Sequence, residues 1–278
     1  MSTQNALSTI LVEKINNDTL VLPTLPAIAL KVRKAADDPD INLNAMGDVI
    51  GQDPSLSARM IKIANSAYLG RSVKVTSINQ AVTRIGLRQI KNISTALAME
   101  QLFVSKNDVV ARYLQHEWSN TVTVVANAMA TLQLYIARTK KREMSIDAMT
   151  LGALVHNIGV LPILTEAERH PEVFANPTFL EVAIDKLSGR IGEKIMREWG
   201  FGDVFANLAK NVKDLSYIPE QVSYIDFVRV GAALSGAMEN KKDDVLNLAI
   251  QRDVIDSTST LQSDEFNELS AAARQIFA

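Results

Sequence analysis

The sequence predicts an all-α fold, and three observations carry that prediction. Apolar residues recur at three- and four-residue spacing, as in Leu56, Met60, Ile63 and Ala67, and again in Leu180, Ile184, Leu187, Ile191, Ile195 and Trp199. No alternating run reads as a strand. Helix-start signals stand where that periodicity begins: Asp53 before Pro54 sets a capping carboxylate beside a proline at the first helical position, and Ser77-Ile78-Asn79-Gln80 has capping-box spacing.

Taken in order, Asn5 to about Lys106 reads as short helices joined by tight turns, with a break at Asp38-Pro39. Asp108 to Arg138 reads as a longer central helix, and Lys140-Lys141-Arg142-Glu143 as a solvated turn. A long apolar helical stretch ends at Val155-His156-Asn157-Ile158-Gly159, and Pro177 marks another break. After Tyr217 a helix carries Val222, Ile225, Val228 and Ala232, followed by a charged break over Glu239 to Asp244. In the last helix Phe266, Leu269, Ala273 and Ile276 form an apolar stripe that either docks on the body or meets a partner; docking is the expected reading.

With 278 residues, 47% of them hydrophobic, the chain can bury a large core. Its 12 glycines and 8 prolines form no linker, which favours one continuous helical body. A net charge of -2 argues against general electrostatic binding to nucleic acid or anionic membrane, leaving only local basic patches. The opening Met-Ser-Thr-Gln-Asn-Ala lacks a basic segment before an apolar one, so a cytoplasmic protein is expected. Val122 to Ala137, interrupted by Thr123, Asn127, Thr131 and Gln133, is read as a buried helix, so no membrane association is expected. Absence of cysteine excludes disulfides, thiolate nucleophiles and cysteine metal sites.

The chemistry-bearing residues are few. An adjacent His-Asp pair could set an imidazole nitrogen and a carboxylate oxygen beside one metal and acidify a bound water; here the second residue is Asn157. A neutral carboxamide is a poor ligand for a dication and cannot take a proton. The only histidines are His116, His156 and His170, so a site of three or four nitrogen ligands would consume nearly all of them. No Gly-x-Ser-x-Gly elbow is present, and Gly189-Arg190-Ile191-Gly192 lacks the preceding strand and following Lys-Ser or Lys-Thr of a phosphate loop, so close helix packing accounts for it better. Asn65-Ser66 reads either as a recognition pair or as local hydrogen bonds ending a helix before Gly70, the latter preferred. Arg84, Arg88 and Lys91, at spacings of four and three, share a helix face that is either solvated or a site for an anionic ligand or acidic partner. Trp118 and Trp199 read as core residues, unless part exposure marks an interface.

Several blocks in order carry a family resemblance: Leu22-Pro23-Thr24-Leu25-Pro26; Gln52-Asp53-Pro54-Ser55-Leu56-Ser57-Ala58-Arg59; Ile63-Ala64-Asn65-Ser66-Ala67-Tyr68; Gln80 to Arg88; Glu117-Trp118; Gly152 to Gly159; and Ile191-Gly192 to Trp199. They resemble the HDOD family, bacterial signalling proteins related to HD-type phosphohydrolases. The resemblance implies a single multi-helix domain over 15–215, a helical lead-in over 1–14, and C-terminal helices over 216–278 packed on or extending it.

It also implies where a metal site would lie. Relatives that keep one use a histidine soon after the tryptophan, the His-Asp pair, later histidines and a late aspartate. Here Asn120 falls at the first, Asn157 at the acid and Ser188 at a further histidine, while Lys210 to Lys213 lacks the His-His pair. His156 remains, and Asp226 is similar to the late aspartate. The resemblance therefore implies a vestigial pocket of Asn120, His156, Asn157, Ser188 and Asp226, with no metal, cofactor or catalytic residue, in which His156 pairs with Asp226 or Asn120.

The function expected is a non-catalytic signalling or regulatory module that binds a protein partner, with a small ligand possible in the former metal pocket. Two alternatives stay open. One is a metal-dependent phosphohydrolase acting on a nucleotide or phosphoester. The other is a nucleic-acid-binding regulator using Arg84, Arg88 and Lys91.

Overall fold

A computed structural model describes residues 6–66, 69, 73–170 and 177–277. Among them there is no strand, and fourteen α-helices follow one another in the chain, as the apolar periodicity requires. Of the residues singled out above, Met1 to Asn5, Ala67, Tyr68 and Gly70 lie outside the described set.

The chain divides into two interleaved units, 1–24 with 102–121 and 155–218, and 25–101 with 122–154 and 219–278.

The first unit holds α1 (Ala6–Asn16), α9 (Val160–Ala167), α10 (Pro177–Glu198) and α11 (Asp203–Asn211), with the start of α7 (Asp108–Thr139), whose residues up to Thr121 belong here. Its helices approach closely because three glycines permit it. A Cβ on Gly159 would lie 1.9 Å from the Ser188 carbonyl oxygen, and one on Gly189 would lie 2.3 Å from that of Lys210. Gly192 packs on Ala209, so Gly189 and Gly192 serve helix packing rather than phosphate binding. Polar contacts fix α1: Lys14 Nζ meets the buried Glu166 carboxylate at 2.7 Å, and Arg190 donates to Asn16 at 3.0 Å. Trp118 lies 5.1 Å from the Phe103 ring, and Trp199, half-buried beside Phe201, donates its indole N–H to the Pro23 carbonyl at 3.0 Å.

The second unit holds α2 (Ala27–Ala36), α3 (Leu43–Gly51), α4 (Pro54–Ala64), α5 (Ile78–Ile85), α6 (Leu87–Ala98), α7 from Val122, α8 (Ile146–Val155) but for its last residue, α12 (Tyr224–Ser235), α13 (Lys242–Gln251) and α14 (Asp264–Phe277). Met46, Ile50, Met60, Ile90, Met129, Leu132 and Met149 are fully buried in it, and Phe227 meets Tyr135 edge-on at 5.3 Å. The start signals operate as their chemistry dictates. Asp53 Oδ1 accepts from Leu56 N at 2.9 Å, and Ser77 Oγ accepts from Gln80 N at 3.3 Å. Gln80 reaches Thr76 N instead of Ser77 N, so the box closes one residue early.

Local expectations are corrected at two points. Lys242 to Asp244 are no break but the first turn of α13, where Asp243 and Asp244 meet the positive end of the helix dipole. Val222 precedes α12 rather than lying on it. The last helix docks: Phe266, Ala273 and Ile276 are buried, and Ser270 Oγ donates to Asn127 Oδ1 on α7 at 2.8 Å. Val122 to Ala137 is mostly buried on α7, as expected; among the described residues one stretch, Ile146–Ala167, is long and apolar enough to cross a membrane, and it is mostly buried and broken by the turn at 156–159.

Candidate functional site

The site begins with two residues one turn apart on α7. Glu117 and Thr121 stand at i and i+4 and so share a face, and the Thr121 hydroxyl donates back to the Glu117 carbonyl at 2.7 Å. The turn after α8 brings Asn157 to them. Its Nδ2 donates to Glu117 Oε2 at 3.1 Å and to Thr121 Oγ1 at 3.0 Å. The Thr121 proton being committed to the Glu117 carbonyl, the hydroxyl oxygen is free to accept from the amide. Burial pushes the Glu117 carboxyl above its ordinary value, more than the Asn157 hydrogen bond and the His116 and Lys213 charges draw it down.

The other expected members of the pocket are distributed as follows. His156 is buried in the same turn, and Ser188 is buried on α10 with its carbonyl against Gly159. Asn120 pairs through Nδ2 with His116 Nε2 at 3.0 Å on its own helix. Asp226 belongs to the second unit and is engaged there: Arg252 Nε reaches Oδ1 at 2.8 Å, Arg252 Nη2 reaches Oδ2 at 3.3 Å, and Ser223 N donates to Oδ2 at 2.8 Å. Asn120 is thus engaged within its own helix, and Asp226 by Ser223 and Arg252 of its own unit.

A metal fits this set poorly. The positions of the first unit supply one imidazole, two amides and a hydroxyl, and the Asp226 carboxylate already carries a guanidinium. Among the described residues no group of three or more His, Cys, Asp or Glu side chains is placed to hold an ion.

Most of the remaining candidates make contacts within the fold. Asn65 clamps Val75 through both backbone groups, Nδ2 to its carbonyl and Oδ1 from its N–H, each at 2.8 Å, and Ser66 Oγ bonds the Ile63 carbonyl at 2.7 Å. The shared face of Arg84, Arg88 and Lys91 does not form. Gly86, at φ +87°, ends α5 before α6 begins, so Arg84 lies on a different helix from the other two. Arg84 instead donates to the Ala64 and Val73 carbonyls, Lys91 pairs with Asp37, and Arg88 is exposed.

Sequence reasoning missed Glu117 and Arg252. Glu117 had a signal in its i, i+4 relation to Thr121 beside Asn120. Arg252 had none, since its pairing spans 26 residues of chain.

Comparison with known proteins agrees with this architecture. The model of the HDOD domain matches residues 22–215. A crystal structure from Shewanella amazonensis SB2B, described as a "putative metal-dependent phosphohydrolase", is 38% identical, has a TM-score of 0.95 and covers 100% of both chains. One from Marinobacter aquaeolei VT8, described as a "putative signal transduction protein", is 18% identical with a TM-score of 0.63, covering 99% of this chain and 66% of that one; it shows the fold alone. An uncharacterized protein of Treponema pallidum (strain Nichols) is 26% identical over 80% of this chain, which spans 39% of that relative's length.

Proposed function

The chain belongs to the HDOD family, and we propose that it is a non-catalytic signalling or regulatory module that acts by binding a protein partner. The observation that carries this reading is the Asn157 amide donating to the Glu117 carboxylate at 3.1 Å. An aspartate there would face a second carboxylate and need a proton or cation between them, whereas an amide satisfies the acid without either. The engagement of Asp226 by Arg252 supports the same reading, because a guanidinium supplies the positive charge a dication would bring. A small ligand in this former pocket would meet amides and hydroxyls, which suit a polar uncharged group.

The Shewanella relative's description favours the competing reading, a metal-dependent phosphohydrolase. Elemental analysis of untagged protein, together with hydrolysis of bis(p-nitrophenyl) phosphate under added Mn²⁺, Mg²⁺ or Zn²⁺, separates the two. The proposal expects substoichiometric metal and no turnover above the His156→Ala variant. Stoichiometric metal with turnover lost in that variant would overturn it.

A further inference from the structure

Away from the Asn157 site, a cavity of about 640 Å³ opens in the second unit between α7 and α14. Its size lies within the range of small-molecule sites, roughly 300–1,000 Å³. The apolar wall is Leu234, Leu261 and Phe266, the last two buried.

Its polar groups are unevenly matched. Asn127 is 7% exposed, and its Oδ1 is taken by the Ser270 hydroxyl at 2.8 Å. No hydrogen bond from its Nδ2 is found among the described residues. Arg274 stands exposed on the lining and makes no ion pair among the described residues. Among the described residues that line the cavity there is no Asp or Glu, and Arg274 is the one charged side chain, in a chain of net charge -2. A buried amide with unused donors and a guanidinium without an acid together call for a ligand rich in acceptors, and the wall calls for an apolar body.

We propose that this cavity binds a small organic acid, a carboxylate carried on a short aliphatic or aromatic body. The carboxylate takes the Arg274 fork and the Asn127 amide, while the body lies against Leu261 and Phe266. Because α14 forms one wall, the ligand ties the terminal helix to α7 and stabilises that docking by mass action.

Calorimetric titration and thermal unfolding with octanoate, 4-phenylbutyrate and the neutral octanamide test the assignment on the whole chain. Saturable binding of either acid at one site per chain is expected, with a rise in Tm. Arg274→Gln, at an exposed position, should weaken that binding about tenfold or more, as loss of a charge-assisted bond predicts. Ala271→Trp, which fills the mouth, should abolish it while the unliganded protein keeps its helical circular dichroism. Failure of both acids to bind, equal binding of octanoate and octanamide, or acid binding unchanged by both variants would each overturn the proposal. None of these outcomes bears on the Asn157 site, whose reading rests on the metal and hydrolysis assays.

Discussion

Asn157 and Glu117 are joined by a single hydrogen bond, amide to carboxylate at 3.1 Å, across 40 residues of chain. The acid is held above its ordinary pKa by burial, and the amide is the neutral group best able to tolerate both of its protonation states.

Asn157→Asp should therefore be costly where both carboxyls ionise. Two carboxylates about 3 Å apart without a cation raise each other's pKa, so the variant should lose about 1–3 kcal/mol at pH 8 and recover towards pH 5. Thermal unfolding across that range measures it; wild-type stability of the variant at pH 8 would remove the basis for the amide's role.

Glu117 has its own pH signature. Its folded pKa is raised, so between the unfolded and folded values the native state holds the extra proton, and stability falls as pH rises through that window. Glu117→Gln keeps an acceptor for Asn157 but cannot ionise. Its Tm should be flatter than wild type from the ordinary carboxylate range upward, and parallel profiles would count against a raised Glu117 pKa.

Arg252 and Asp226 form a pair with side chains 13% and 2% exposed. Removing one partner strands a buried charge, and Arg252→Ala should cost about 3–5 kcal/mol. Adding Asp226→Asn should return part of that loss. Urea unfolding of the two single variants and the double gives the coupling directly, and additive effects would show the pair to be energetically inert.

Asn65→Ala removes both bonds to the Val75 backbone, whose residue is 4% exposed. Unsatisfied buried groups should cost about 1–3 kcal/mol, with faster hydrogen exchange at Val75. Retained protection there would mean the clamp is dispensable.

Some of this was legible without coordinates. The long helix at Asp108–Thr139 differs by one residue from its expected end at Arg138, and Asp53-Pro54 and Ser77 begin helices where their side chains predict. These depend on spacing and on capping donors within three residues, so the local chain contains the whole cause. Gly86 is the local signal passed over, since a glycine between Arg84 and Arg88 permits the positive φ that parts their helices.

By itself the sequence determined the all-α class and the family, because both depend on residue identity and short-range periodicity. Only the tertiary structure decided which groups meet: Glu117 with Asn157, Arg252 with Asp226, Arg84 with two backbone carbonyls. Burial favours partners for most polar groups, but the identity of each partner is set by which distant segments the core brings into contact.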